Sequence, residues 1–166
     1  MTISFKNKPN EKVTVEGRDI YISRSVAVVA LIVATVEDKR YILINKRGEN
    51  AADFRGLYNL PCGYLDWNET GVDACVRETY EETGVDISSD INQDMQPYVS
   101  TKVSNNRQNV SLTYTINVDY ETLPETTNAN SELGEVAEIL WIPIEEYVNY
   151  EFAFSHNKKI EYFINH

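Results

Sequence analysis

Three glutamates near the middle of the chain, Glu78, Glu81 and Glu82, offer oxygen ligands for a metal ion. On an α-helix they fall within about 100° of one another. Glu78 and Glu82 are then one turn apart, with Cβ atoms about 6 Å from each other, so their carboxylates can share one cation. Hard oxygen ligands at this density suit Mg²⁺ or Mn²⁺. The alternative is a solvated acidic helix face, which is the commoner meaning of such a stripe.

The local physical chemistry weighs against a merely solvated face. Like charges four residues apart on a helix cost about 0.2–0.5 kcal/mol. Glu81 and Glu82 also precede Gly84, so they lie in the last turn, where the helix dipole disfavours each negative charge by about 0.3–1 kcal/mol. Arg77 offsets part of this cost through a pair with Glu81. A segment that breaks several local rules together indicates a functional site.

The helix that presents the glutamates is predicted over residues 70–83. Thr70 is a candidate N-cap, and Asp73 three residues later completes a capping-box pattern. Gly84 is a natural C-terminal stop. The predicted buried stripe spans about 60° and contains Val72, Val76, Thr79 and Thr83. The glutamates are predicted to lie on roughly the opposite side.

The elements around this helix are mostly strands. Residues 26–36 are β-branched and nearly continuous, which predicts a buried central strand. Further extended segments are predicted at residues 12–23, 41–45, 60–65, 98–103, 110–118 and 139–142, and a second helix at residues 155–164. This order predicts an α/β (α+β) fold with a mixed sheet and helices packed on it. One domain is expected over residues 1–166, with its core at about 24–166.

The charge of the chain restricts its partners. It carries 26 acidic and 15 basic residues, a net charge of −11. Such a surface repels phosphates, which argues against unaided nucleic-acid or membrane binding. A bound divalent cation would reverse this field locally for an anionic substrate. Residues 1–10 show no apolar signal core, the apolar run at 26–36 is too short to span a bilayer, and the two cysteines form no Cys-x-x-Cys pair, so we expect a cytoplasmic protein.

Residues 63–85 resemble the Nudix box, G-x5-E-x7-R-E-U-x-E-E-x-G-U, in which U is aliphatic. The segment reads GYLDWNETGVDACVRETYEETGV. The matching positions are Gly63, Glu69, Arg77, Glu78, Glu81, Glu82, Gly84 and Val85. Thr79 departs from the pattern, because an aliphatic residue is usual there. Residues 60–63 are similar to the family's Leu-Pro-Gly-Gly approach, with Cys62 at the first glycine.

The resemblance implies a Nudix-like α/β/α sandwich and metal-dependent hydrolysis of a phosphoanhydride bond in a nucleoside diphosphate linked to another moiety. Glu78 and Glu82 would be the main ligands of Mg²⁺ or Mn²⁺, joined by the Gly63 carbonyl, with Glu81 as a further ligand or the base. Arg77 would orient the glutamates and Glu69 would anchor Arg77. Glu135, six residues before Trp141, would supply another acidic ligand or the general base, with Glu132 and Glu138 as competitors.

The substrate is less well defined by the sequence. Lys46, Arg47 and Arg55 precede the box and are candidate phosphate contacts, although solvated loop residues would look the same. Tyr64 and Trp67, with Tyr58, are candidates for stacking on a base, against a packing role for at least two of the three. Residues 152–156 resemble a run found in ADP-ribose-type Nudix proteins, with Ser155 replacing the acid, although packing at a helix start explains them too. The small-molecule substrate that this favours is ADP-ribose or a similar sugar nucleotide.

Two other functions remain open on the sequence. One is a nucleotide sensor of the same fold without turnover, which the intact glutamates disfavour. The other is an isomerase of prenyl diphosphates, for which Cys62 is the one candidate catalytic cysteine. The resemblance also leaves a homodimer open.

Overall fold

The computed structural model describes residues 10–102 and 109–166. Within them, seven strands form one mixed sheet and two more form a separate hairpin. The hairpin strands are β1 (Glu11–Val15) and β2 (Arg18–Ile22). The sheet strands are β3 (Val26–Val36), β4 (Lys39–Arg47), β5 (Tyr58–Asn59), β6 (Cys62–Tyr64), β7 (Tyr98–Ser100), β8 (Val110–Asp119) and β9 (Val136–Pro143). The α-helices are α1 (Gly71–Thr83) and α2 (His156–Asn165), and two 3-10 segments, Ile144–Asn149 and Ala153–Ser155, precede α2.

Strand β3 is the centre of the sheet. It pairs antiparallel with β4 and β6 and parallel with β8. Strand β4 continues the sheet to β5 and β9, and β8 continues it to β7. The β-branched run of β3 is buried along most of its length, as expected for a strand covered on both faces.

Alternate residues of β3 belong to two separate cores. Val28, Ala30 and Ile32 pack with Val72 and Cys75 of α1. The intervening residues, such as Leu31, pack with Ile160 of α2. Because successive side chains of a strand point to opposite faces, α1 and α2 cover opposite faces of the sheet. The chain is therefore an α/β/α sandwich, which confirms the predicted fold class.

Helix α1 begins and ends where the sequence predicts. The Thr70 hydroxyl accepts a hydrogen bond from the Asp73 backbone N–H at 3.1 Å, and the Asp73 carboxylate accepts one from the Thr70 N–H at 2.9 Å. Gly84 has a φ of +74°, and its N–H donates to the Tyr80 carbonyl at 2.8 Å. The capping box at the N-terminus of the helix and the left-handed glycine at its C-terminus are thus both present.

The buried surface of α1 is wider than the predicted stripe. Val72, Thr79 and Thr83 are buried as predicted, whereas Val76 is only partly buried. Buried side chains outside the stripe are Ala74, Cys75 and Glu82. The Thr79 hydroxyl donates to the Cys75 carbonyl at 2.7 Å. A threonine is therefore accommodated at the aliphatic position of the box, because its polar atom is satisfied within the helix.

Several predicted strands have different limits in the structure. Residues 12–23 form a hairpin rather than one strand, because Glu16 and Gly17 both take positive φ values and reverse the chain. The strand predicted at 98–103 ends at Ser100, residues 101 and 102 are irregular, and residue 103 lies outside the described residues. The strand predicted at 139–142 is longer, because β9 pairs with β4 from Val136 onwards. No helix in the described part of the chain is long and apolar enough to cross a membrane.

Candidate active site

Glu82 is a carboxylate buried between α1 and the sheet. Only 5% of the residue is exposed. Its Oε2 accepts hydrogen bonds from Asn45 Nδ2 at 2.9 Å and from the Cys62 backbone N–H at 3.0 Å. Both donors are neutral. Burial, assisted by the charges of Glu78 and Glu135, raises the pKa of Glu82 to about 8.

Glu78 lies one turn before Glu82 and faces the same end of the sheet. Its side chain contacts Gly63 so closely that a Cβ at position 63 would overlap the carboxylate. Burial raises the pKa of Glu78, and the neighbouring charge of Arg77 opposes this shift. The glycine that opens the box is therefore required by close approach, and it brings its own backbone next to the glutamates.

Arg77 forms ion pairs with three glutamates. Its Nε and Nη2 bond to the two carboxylate oxygens of Glu69 at 3.0 and 2.7 Å, a bidentate pair. Its Nη1 bonds to Glu78 at 2.7 Å and to Glu81 at 3.0 Å, and its Nη2 also donates to the Tyr64 carbonyl at 3.1 Å. Hydrogen bonds from Arg77 hold the pKa of Glu69 below its ordinary value. This network keeps Glu78 and Glu81 on the same side of the helix despite their like charges.

Glu135 lies beside the glutamates of α1, although it is far from them in sequence. Its charge contributes to the raised pKa values of both Glu78 and Glu82. The loop that carries it is held to the end of β4, since the Gly48 N–H donates to the Glu135 carbonyl at 2.6 Å. Of its two competitors, Glu138 accepts a hydrogen bond from the Tyr58 hydroxyl at 2.7 Å, and Glu132 is exposed.

The residues present fit a divalent cation. Glu82 is a buried carboxylate supported by neutral donors alone, an arrangement that is costly unless a positive charge comes close. Within residues 10–102 and 109–166, no three acidic, His or Cys side chains are arranged to enclose an ion. The remaining ligands would be a backbone carbonyl, water and substrate oxygens. This matches Mg²⁺, which keeps several waters and is usually held by one or two carboxylates together with phosphate groups.

A cavity of about 810 Å³ lies next to this site, between the end of β4 and the start of β9. Its basic lining residues are Lys46, Arg47 and Arg55, and its acidic lining residues are Glu49 and Glu138. The glutamates of α1 do not line the cavity. Glu135 links the two regions, because its carbonyl bonds to Gly48 in the cavity wall and its charge acts on the helix glutamates.

The two predicted arginines differ in their surroundings. Arg47 is engaged by the protein itself: its Nε donates to the Asp53 carbonyl at 2.8 Å, and its guanidinium lies 5.0 Å from the centre of the Phe154 ring. Arg55 is exposed at the cavity, and its Nε donates a hydrogen bond to the Ala51 carbonyl at 2.8 Å.

Two of the three predicted aromatic residues, Tyr64 and Trp67, are exposed at the surface. Trp67 is 95% exposed and Tyr64 is 51% exposed. Tyr58 packs edge-on against Tyr150, with ring centres 4.9 Å apart. A packing role for at least two of the three is therefore wrong, because Tyr64, at the end of β6, and Trp67, in the segment that follows, lie on the surface.

Near the end of the chain, the packing interpretation is correct for His156. The residue is 2% exposed, and its Nδ1 accepts a hydrogen bond from the Leu60 N–H at 3.1 Å. Phe152 packs in the core beneath α2. His156 therefore supports the segment Leu60–Gly63 from the face of the sheet that α2 covers.

Sequence reasoning missed Asn45 and the Cys62 backbone as partners of Glu82. Asn45 follows Ile42, Leu43 and Ile44, all of which are fully buried. A polar residue directly after such a run was a usable signal, since a buried amide needs a polar partner.

Comparisons with known proteins agree with this fold. A family model described as NUDIX domain matches residues 24–163. A search of curated proteins finds no match. Among solved structures, the NUDIX domain of Shewanella oneidensis NrtR complexed with ADP ribose superposes with a TM-score of 0.64 and is 20% identical, covering 84% of this chain and 85% of that one.

Two further structures show the same fold. A bifunctional NMN adenylyltransferase/ADP ribose pyrophosphatase from Francisella tularensis, complexed with AMP and a Mn ion, has a TM-score of 0.68 and 22% identity. It covers 86% of this chain, which spans only 42% of that protein. An Ap4A hydrolase from C. elegans has a TM-score of 0.64 and 15% identity, over 85% of this chain and 96% of that one. At these identities the structures establish the fold alone.

Proposed function

The chain belongs to the NUDIX domain family of pyrophosphohydrolases, and we propose that it uses Mg²⁺ or Mn²⁺ to hydrolyse a nucleoside diphosphate linked to a further group. The observation that carries the proposal is Glu82, a buried carboxylate with neutral donors only, next to Glu78 and the Gly63 backbone. Glu78, Glu82 and the Gly63 carbonyl would hold the ion, with Glu81 at its edge. A divalent ion, when bound, neutralises charge on the phosphates and acidifies water.

The protein's own residues supply positioning and a base. Arg77 orients Glu78 and Glu81, and Glu69 fixes Arg77 by a bidentate pair. We assign the general base to Glu135 rather than Glu81. Arg77 Nη1 forms an ion pair with the Glu81 carboxylate at 3.0 Å, so Glu81 is engaged by the protein, whereas no ion pair of Glu135 occurs among the described residues. In the reaction, water would attack one phosphorus, its proton would pass to the base, and the anhydride P–O bond would break with release of the second phosphate.

The cavity beside Glu135 supports a substrate larger than a simple phosphate. Its volume of about 810 Å³ falls in the range of about 300–1,000 Å³ typical of small-molecule sites. Lys46 and Arg55 line it together with Glu49 and Glu138, so the cavity offers basic side chains to an anion in a chain whose net charge is −11. We place the phosphate-bearing end of the substrate near Arg55 and a base against the exposed Tyr64 or Trp67.

ADP-ribose or a similar sugar nucleotide is the substrate that we favour. The Shewanella domain was solved with ADP ribose, and the Francisella protein is described as an ADP ribose pyrophosphatase. The test is a panel of ADP-ribose, other sugar nucleotides, dinucleotides and nucleoside triphosphates with Mg²⁺ or Mn²⁺. We expect a nucleoside monophosphate and a sugar phosphate from ADP-ribose. Activity on triphosphates alone would reject this preference, and binding without turnover would favour the sensor alternative.

The isomerase alternative has no support in the chemistry of Cys62. Burial raises the pKa of the Cys62 thiol well above its ordinary value, so the thiolate that a reactive cysteine needs is suppressed. The Sγ atom accepts a weak hydrogen bond from Asn59 Nδ2 at 3.5 Å.

We further propose that the protein forms a homodimer through the β1–β2 hairpin. Val13 and Ile20 are cross-strand neighbours and share a face with Val15 and Ile22, and each of the four is between 43% and 55% exposed. The opposite face is polar and carries the Lys12–Asp19 ion pair. A two-stranded hairpin is marginally stable alone in water, and a second apolar hairpin face packed against it would supply the missing burial.

A further inference from the structure

Asn45 occupies a position where an apolar residue would be expected. It lies in β4 directly after three fully buried aliphatic residues and is itself 1% exposed. Its cross-strand partner in β5 is Asn59, which is also 1% exposed. The Oδ1 atoms of both asparagines have no hydrogen-bond partner among the described residues. A buried, unsatisfied acceptor costs about 1–3 kcal/mol, so a specific role is needed to explain it.

The two asparagines use their amide nitrogens differently. Asn45 Nδ2 reaches from the sheet to the helix and donates to Glu82 Oε2 at 2.9 Å. Asn59 Nδ2 stays within its own segment, bonding to the Leu60 carbonyl at 2.9 Å and to Cys62 Sγ at 3.5 Å. Of the two asparagines, Asn45 is therefore the one that connects the sheet to Glu82 through its side chain.

The donors of Glu82 meet at a single oxygen. Asn45 Nδ2 and the Cys62 N–H both bond to Oε2, and in the described part of the chain Oε1 receives no hydrogen bond. Two fixed donors on one oxygen define the rotation of the carboxylate and direct the other oxygen away from them. Because both donors are neutral, they fix the group without competing for its charge.

We infer that Asn45 is a positioning residue that holds Oε2 of Glu82 so that Oε1 is presented to the divalent cation. The inference rests on the proposed function, since it assigns Glu82 as a metal ligand. It assigns Asn45 no contact with the substrate or the ion. Partners that orient a metal ligand typically contribute about 10–100-fold to metal affinity, and that is the effect expected here.

The test is Mn²⁺ binding to the full chain without nucleotide, measured by calorimetry and by the electron paramagnetic resonance signal of free Mn²⁺. Asn45→Leu keeps the approximate shape of the side chain and removes the donor. We expect its Mn²⁺ affinity to fall by about 10–100-fold. Asn45→Thr, whose β-branched side chain suits a strand, serves as a second variant with the amide removed, and should show a loss of the same order. Circular dichroism establishes that each variant is folded.

Asn59→Leu is the matched control. It changes the neighbouring buried asparagine, which has the same exposure and the same unsatisfied oxygen but does not contact Glu82. Its Mn²⁺ affinity should remain close to that of the parent. A further readout is turnover against Mn²⁺ concentration, where a positioning role raises the Mn²⁺ concentration needed for half-maximal rate more than it lowers the rate at saturation.

The outcomes separate this inference from the proposed function. If the parent binds Mn²⁺, Glu82→Gln does not, and both Asn45 variants bind like the parent, the role of Asn45 is wrong and the proposed function stands. Equal losses in the Asn45 and Asn59 variants would also overturn it, because the effect would then be one of packing. A parent that binds no Mn²⁺ would overturn both.

Discussion

At the scale of single residues, the site depends on carboxylates that are alike in type and different in surroundings. Glu82 is buried with neutral donors, Glu78 is partly buried beside Arg77, and the Glu81 side chain is 47% exposed and paired with Arg77. These differences, rather than the spacing in sequence, assign distinct tasks. In the proposed function the most buried carboxylates would hold the ion, and the pair with Arg77 would fix Glu81 at its edge.

The assignment of the base gives a prediction at this scale. Glu135→Gln removes a proton acceptor without changing size, and we expect kcat to fall by about 10²–10⁴-fold, the usual contribution of general base catalysis. Glu81→Gln should cause a smaller loss. Rates measured at saturating Mg²⁺ with ADP-ribose or the best substrate of the panel test this.

The pH profile supplies the control for that experiment. A general base is active only when deprotonated, so the acidic limb of the kcat profile in the parent should be absent or displaced in Glu135→Gln and retained in Glu81→Gln. A larger loss of kcat in Glu81→Gln than in Glu135→Gln would transfer the role to Glu81.

At the scale of elements, local signals in the sequence were sufficient to predict the limits of α1. They were insufficient to predict which residues of the sheet contact it. Thr70, Asp73 and Gly84 determine the limits of the helix through bonds within a few residues, so the limits could be predicted. The burial of Glu82 could not, because it depends on Asn45 and Cys62, which are 37 and 20 residues away. The same reason explains why the length of β9 was underestimated, since its pairing with β4 is set by the sheet.

The contact of α2 with Leu60, the residue after β5, gives a prediction about stability. His156 is buried, and burial lowers its pKa from 6.5 to about 3, with the charges of Lys159 and Arg47 adding to the shift. Between these values the unfolded chain takes up the proton and the folded chain does not. The free energy of unfolding should therefore decrease as pH falls below 6.5, by up to roughly 1.4 kcal/mol per pH unit from this residue.

A non-titrating variant isolates that contribution. His156→Asn keeps an acceptor for the Leu60 N–H, so its stability should fall less steeply than that of the parent between pH 6.5 and 4 in urea unfolding experiments. His166→Asn, at the exposed end of α2, is the control and should retain the slope of the parent. Identical slopes in the parent and in His156→Asn would contradict the assigned role.

At the scale of the whole molecule, the proposed function requires an acidic chain to bind an anionic substrate. The net charge of −11 repels phosphates in general, whereas a cation held at the glutamates would reverse the field there, and Lys46 and Arg55 offer positive charges at the cavity. The sequence indicated this requirement through its composition. The location of the cavity followed only from the pairing of β4 with β9.

The proposed dimer is also a property of the whole molecule. We expect light scattering after size exclusion to give twice the 19.0 kDa of one chain. Ile20→Asp places a charge on the apolar face of the hairpin and should produce monomers that still turn over substrate. Tyr21→Asp adds the same charge on the opposite, polar face and should remain dimeric. A monomeric parent, or the same mass for both variants, would reject the hairpin as the interface.

The measurement that tests the central claim most directly is metal-dependent turnover by Glu78→Gln and Glu82→Gln at saturating Mg²⁺, with circular dichroism as evidence of folding. We expect each variant to remain folded and to lose turnover by about two orders of magnitude or more, because each lacks a charged ligand for the ion that stabilises the transition state. Turnover close to that of the parent in both variants would contradict a cation held by the glutamates of α1.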